Sequence, residues 1–84
     1  MPELSRFFGI VMKMYFQSCE HNPPHVHAVY GSDSAEFEIS TGKMLDGYLP
    51  PRAKAMVTEW IELNRESLLK IWETQEFSAL PPLE

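Results

Sequence analysis

The sequence predicts an α+β fold, a four-stranded antiparallel β-meander followed by two C-terminal helices packed on one face. Two observations predict it. Residues 7–48 hold apolar segments separated by turn-forming residues, and residues 51–76 change to a helical apolar period. No repeat, linker or low-complexity segment divides the 84 residues, so positions 1–84 read as a single domain. Strands are expected within about residues 8–48, helices within about 51–76 and an extended tail over 77–84.

The first strand is read from Phe7 to Phe16. Ile10, Met12, Met14 and Phe16 share one side by the two-residue period, leaving Val11, Lys13 and Tyr15 on the other. Gly9 marks a bulge or a close backbone approach. The polar run from Gln17 to Asn22 ends in Pro23-Pro24, two residues without an N–H, which suits a loop or the start of an edge strand.

The second strand is His25 to Tyr30 and the third is Ala35 to Ile39, joined by the turn formers Gly31-Ser32-Asp33-Ser34. A four-residue loop sets Tyr30 opposite Ala35, Ala28 opposite Phe37 and Val26 opposite Ile39, all apolar pairs. The other face then carries His25, His27 and Val29 beside Ser40, Glu38 and Glu36, with His27 across from Glu38. Thr41-Gly42 turns the chain into a fourth strand, Lys43 to Tyr48. A tight turn there sets Asp46 opposite Phe37, and a bulged turn sets Leu45 there. The bulge is preferred, because it keeps a carboxylate out of the core.

Pro51 suits the first position of a helix. Ala53, Met56, Val57, Trp60 and Ile61 follow the spacing of an amphipathic helix, and Leu68, Ile71 and Trp72 continue it. An unbroken helix from Pro51 to Gln75 would run ~37 Å, too long for a sheet of short strands, so a break is placed near Asn64-Arg65-Glu66. Glu59, Glu62, Glu66 and Glu73 form the solvated side.

Composition narrows the function. The net charge of −5 disfavours general nucleic-acid binding, which relies on Lys and Arg against phosphate. With one cysteine, Cys19, no internal disulfide forms, and a secreted disulfide scaffold is excluded. No apolar run approaches the ~20 residues of a membrane span, and Met1 to Arg6 do not read as a signal peptide, so a cytoplasmic location is expected.

The segment from His21 to His27 is the lead for chemistry, read either as a site or as a well-made turn. Side chains two apart on a strand point the same way, starting ~6.5–7 Å apart, so His25 and His27 are placed to converge on one divalent transition metal. Glu38 would be a third ligand or a partner of the histidines, and His21 and Cys19 would offer further donors. The spacing matches no standard zinc motif, and an exposed histidine pair with an ordinary His27–Glu38 surface contact competes with that reading. A second reading is metal-free acid–base catalysis: His25 and His27 divide the acid and base roles in RNA cleavage while Arg52 or Lys54 holds a phosphate. A third needs the least special geometry. The open sheet face or a strand edge binds another small protein or a second copy, with Tyr15 and Tyr48 as anchors. Cys19 has no oriented base beside it, and Trp60 and Trp72 fall at core positions.

Phe8-Gly9-Ile10, His21-Asn22-Pro23-Pro24-His25-Val26-His27 with Tyr30-Gly31, Thr41-Gly42, Gly47, Leu49-Pro50, Trp60 and Trp72 together give a further lead. In these features, from about Phe7 to Glu76, the chain resembles the small bacterial domain-of-unknown-function family 4160. The resemblance implies a stand-alone small protein, often encoded beside another small uncharacterised domain in the manner of toxin–antitoxin pairs. It implies no activity. The resulting expectation is a small regulatory or protein-interaction module, one member of a toxin–antitoxin-like pair. The alternative is a metal-binding or metal-independent RNA-cleaving protein using His25 and His27.

Overall fold

The structure, a computed structural model, describes residues 3–15 and 23–84. Among these residues five strands form one antiparallel sheet in sequential order: β1 Glu3–Phe7, β2 Ile10–Lys13, β3 His25–Tyr30, β4 Asp33–Glu38 and β5 Met44–Gly47. One helix follows, α1 Pro51–Thr74. The α+β class and the antiparallel order are as expected. The count of four strands and two helices is corrected to five and one.

The extra strand comes from dividing the expected first one. Phe8 and Gly9 both have positive φ, 48° and 81°, and turn the chain so that Phe7 pairs with Ile10. That is a two-residue hairpin, whose twist calls for left-handed residues at both turn positions. Gly9 supplies one at little strain, while Phe8 adopts it against the preference of a bulky side chain. The pattern of β1 is obscured by an irregularity between Glu3 and Ser5, which leaves Leu4 and Ser5 both buried. Gly9 is therefore a turn residue and not a strand bulge.

Between β3 and β4 the turn is tighter than expected. Tyr30 pairs with Asp33, Ala28 with Ala35, Val26 with Phe37, His27 with Glu36 and His25 with Glu38. The register differs from the expected one by two residues, which leaves every side chain on its expected face and changes every partner. Between β4 and β5 a bulge is present, but Met44 stands opposite Phe37, where Leu45 was expected. Leu45 is the extra residue, and Asp46 lies beside Glu36, away from the core.

Pro51 opens α1, with Lys54 N–H donating to the Pro50 carbonyl at 2.9 Å. A straight helix of these 24 residues would measure ~36 Å, more than the longest Cα extent of the molecule, 31 Å. The helix instead kinks at Asn64, whose φ of −114° and ψ of 15° are not helical. Asn64 Nδ2 donates to the Trp60 carbonyl at 2.9 Å, and Arg65 Nε donates to Ile39 O at 2.8 Å, tying the kink to the sheet. The break expected near residues 64–66 is thus a kink in one helix. Gln75, left-handed with φ 60°, ends it.

Ile10, Met12, Met14, Val26, Ala28, Phe37 and Ile39 from the strand region form one core with Ala53, Val57, Trp60, Ile61, Leu68, Ile71 and Trp72 of α1. The tail contains no helix or strand and is held down: Leu80 N–H donates to Leu4 O at 2.7 Å, and Trp60 Nε1 donates to Pro81 O at 2.9 Å. Among the described residues no helix is long and apolar enough to cross a membrane.

Candidate metal-binding site

The side of the sheet turned away from the core carries a polar row that crosses all five strands. Cross-strand pairing aligns Glu3, Lys13, His27, Glu36 and Asp46 in that order. His25 lies on the same side of β3, two residues before His27.

His25 is almost fully buried, 5% exposed. Its ring lies 5.2 Å from the Trp72 ring and 5.2 Å from the His27 ring, so Trp72 brings the second half of α1 to the beginning of β3. Tyr15 meets His27 edge-on, with ring centroids 4.3 Å apart. Pro23-Pro24 serves through its carbonyls. Pro24 O accepts from Ile39 N–H at 3.0 Å, and Pro23 O lies 2.9 Å from His25 Nδ1.

That last contact assigns the tautomer. A carbonyl oxygen only accepts, so Nδ1 carries the hydrogen and Nε2 faces the site. His25 Nε2 lies 3.2 Å from Glu36 Oε1, and His27 Nε2 lies 3.9 Å from the same oxygen. A neutral imidazole with Nδ1–H directs a lone pair from Nε2 at a carboxylate. Such an arrangement is repulsive until a positive species, a proton on Nε2 or a metal ion, joins the two.

The His25–Glu36 distance suits an ion, while His27 Nε2, 3.9 Å from the same oxygen, must draw in to share it. Ligand atoms of His25, His27 and Glu36 all lie within 4.8 Å of one another. Tetrahedral coordination with bonds of ~2.0–2.1 Å separates ligand atoms by about 3.3 Å, close to the His25–Glu36 separation. Histidine ligands typically donate the other ring N–H to a carbonyl or carboxylate, the part that Pro23 O takes for His25. Two imidazoles and one carboxylate suit zinc, nickel, cobalt or ferrous iron.

The structure brings His25 and His27 together and adds Glu36, which the expected register had placed one pair away. Glu38 stands opposite His25 and accepts from Thr41 Oγ1 at 2.8 Å, in the turn before β5. His21 and Cys19 lie outside the described residues. Arg52 and Lys54 are exposed on the first turn of α1, and the lysine that pairs across from His27 is Lys13. Tyr48 is exposed, whereas Tyr15 is half-buried against His27. Glu36 could have been found by testing the two-residue turn Gly31-Ser32 as well as the four-residue one.

A family model described as Domain of unknown function (DUF4160) matches residues 9–73, well over half of the chain. The chain belongs to the DUF4160 family. The match spans β2 to the last turn of α1, and so includes His25, His27, Glu36 and Trp72. Neither the curated proteins nor the solved structures contain a match to this DUF4160 chain.

Proposed function

We propose that this DUF4160 chain is a small module that binds one divalent transition-metal ion through His25 Nε2, His27 Nε2 and a Glu36 carboxylate oxygen. The observation that carries the reading is the orientation of the buried His25. Its Nδ1–H is engaged by Pro23 O, and its Nε2 is turned toward an acceptor 3.2 Å away. The competing use of the same geometry is a protonated His25 paired with Glu36, a structural ion pair.

Untagged protein dialysed against chelator and titrated with Zn²⁺ separates the two. One equivalent is expected to bind. Binding should weaken as the pH falls, because imidazole ligands must shed their protons. His25→Ala, His27→Ala and Glu36→Gln should each weaken it more than about 100-fold, beyond the 10–100-fold typical of groups that only support a ligand. At a free concentration 100 times Kd the ion should stabilise the fold by about 2.7 kcal/mol, and chelator should reverse the gain. No saturable binding, with a folded protein, leaves the structural ion pair.

A regulatory or protein-interaction role is favoured by a different observation. Leu45 and Tyr48, 45% and 58% exposed, flank Asp46 at the β5 edge of the sheet. Exposed apolar and aromatic groups beside a free edge suit self-association or docking of a second small protein, as in a toxin–antitoxin-like pair. If copies associate there, sedimentation should show a dimer that Leu45→Lys and Tyr48→Lys convert to a monomer.

A further inference from the structure

Three protein ligands leave an ion with at least one position to fill, and the surroundings of Glu36 show what lies on that side. His27, Ser34, Ala35, Glu36, Asp46 and Gly47 line a cleft of about 140 Å³ open to solvent. Asp46 is directly across the strand pair from Glu36. Like charges so opposed destabilise a sheet. Among the described residues the Asp46 side chain has neither a hydrogen bond nor an ion pair to offset this.

The backbone holds Asp46 in that place. The bulge makes Leu45 the extra residue and so brings Asp46 to the Glu36 side. Gly47 next to it has φ 86°, and a Cβ there would lie 2.7 Å from Ala35 Cα, so β5 approaches β4 more closely than any side chain permits. Tyr48 N–H then donates to Ser34 O at 3.0 Å, fastening the strand just past the cleft. Lys13, the cation of the polar row, lies beyond His27 and next to Glu3, on the far side from Asp46.

We infer that Asp46 is the outer carboxylate of the metal site: it accepts a hydrogen bond from a water that completes the ion's coordination on the cleft side. Resting on the metal reading above, this makes the site exchangeable at one position, open to a small anion that displaces the water. A direct ligand role fits less well, because Asp46 falls outside the group whose ligand atoms lie within 4.8 Å of one another.

Cobalt(II) tests this, since its visible spectrum reports coordination. Asp46→Asn should still bind one Co²⁺ but 10–100-fold more weakly, the range for a group that supports a ligand. Asp33→Asn, the loss of a carboxylate elsewhere on β4, should change affinity less than threefold. Azide added to the Co²⁺-loaded wild-type protein should change the absorption spectrum and saturate. Wild-type affinity in Asp46→Asn, an equal loss in Asp33→Asn, or a spectrum indifferent to azide overturns the role of Asp46 while leaving the three-residue site standing. Complete loss of binding in Asp46→Asn makes it a direct ligand and also overturns the proposal. If the wild-type protein takes up no Co²⁺ or Zn²⁺, the metal reading itself fails, and this inference with it.

Discussion

The two sides of the sheet are built from the same strands and obey different rules. On the core side Ile10, Met12, Val26, Ala28 and Phe37 are fully buried against α1, and their contribution comes from removing apolar surface from water. On the other side Lys13, His27 and Glu36 are half-buried and Asp46 is exposed. Their value depends on which charge or lone pair stands opposite which. The core side tolerates any register that keeps its parity, whereas the polar side changes character when one pair moves. Stability therefore resides in the first side, and the candidate chemistry depends on exact partners in the second.

The largest effect should come from breaking the core side. Trp60 is 1% exposed, lies 5.8 Å from the Phe7 ring and anchors the tail through Pro81 O. Trp60→Ala should cost about 3–5 kcal/mol, a large part of the 5–15 kcal/mol typical of a domain. A urea midpoint within error of wild type would mean that α1 is not what holds the sheet. Gly47→Ala should come next, at roughly 2–4 kcal/mol. The new Cβ requires a positive φ and meets the β4 backbone, so β5 must detach. Amide exchange in β4 and β5 should rise more than in β2 and β3. Uniform exchange across the sheet would show that the close approach at Gly47 is not what holds β5.

The next pair of variants tests the polar side, where stability should barely register. Glu36→Gln and Glu38→Gln remove the same charge from the same face of β4, one opposite His27 and the other opposite His25. Only Glu36 has its carboxylate near both imidazoles, while Glu38 is bound by Thr41. Glu36→Gln is expected to weaken Zn²⁺ binding more than about 100-fold, past the range of an outer-sphere group, and Glu38→Gln less than about threefold. Equal losses would show that the ion senses the charge of the face and not a particular pair.

The same parity explains what could be read without coordinates. A strand with strict alternation states which residues are inside, so the buried Ile10, Met12, Val26, Ala28 and Phe37 were legible. Pairing is a longer-range property. Gly31 to Ser34 satisfies a two-residue and a four-residue turn equally well, and the choice moved His27 from Glu38 to Glu36. β1 was hidden because its irregularity buries consecutive residues, Leu4 and Ser5, and because Phe8 is a poor signal for a left-handed turn. An interruption near residues 64–66 was foreseen because it follows from length, but the expected division into two helices is instead a kink within one. The meeting of His25 with Trp72 was not foreseen, because the two rings are 47 positions apart in the chain and no local pattern encodes their contact.

The smallest expected effect lies at the opposite end of the polar row and completes the contrast. Arg6 NH2 and Nε donate to the two oxygens of Glu3 at 2.9 and 3.3 Å. The hydrogen bond from Arg6, with the charges of Arg6 and Lys13, holds the Glu3 carboxyl below its ordinary value of 4.5. A carboxyl with a lowered folded-state pKa adds stability above its unfolded value and loses it as the pH falls toward the folded one. Both side chains are exposed, so the gain is screened and slight. The wild-type advantage over Glu3→Gln in urea should therefore be small at neutral pH and shrink further on acidification below 4.5. An advantage that grows on acidification would reverse the sign of the argument. Glu3 already has its cations, so Glu3→Gln should leave Zn²⁺ affinity within about threefold of wild type, as expected for an exposed, screened charge several strands away. Glu36 and Asp46 lie on strands with no lysine in the row beside them, and among the described residues the imidazoles of His25 and His27 stand nearest the Glu36 carboxylate.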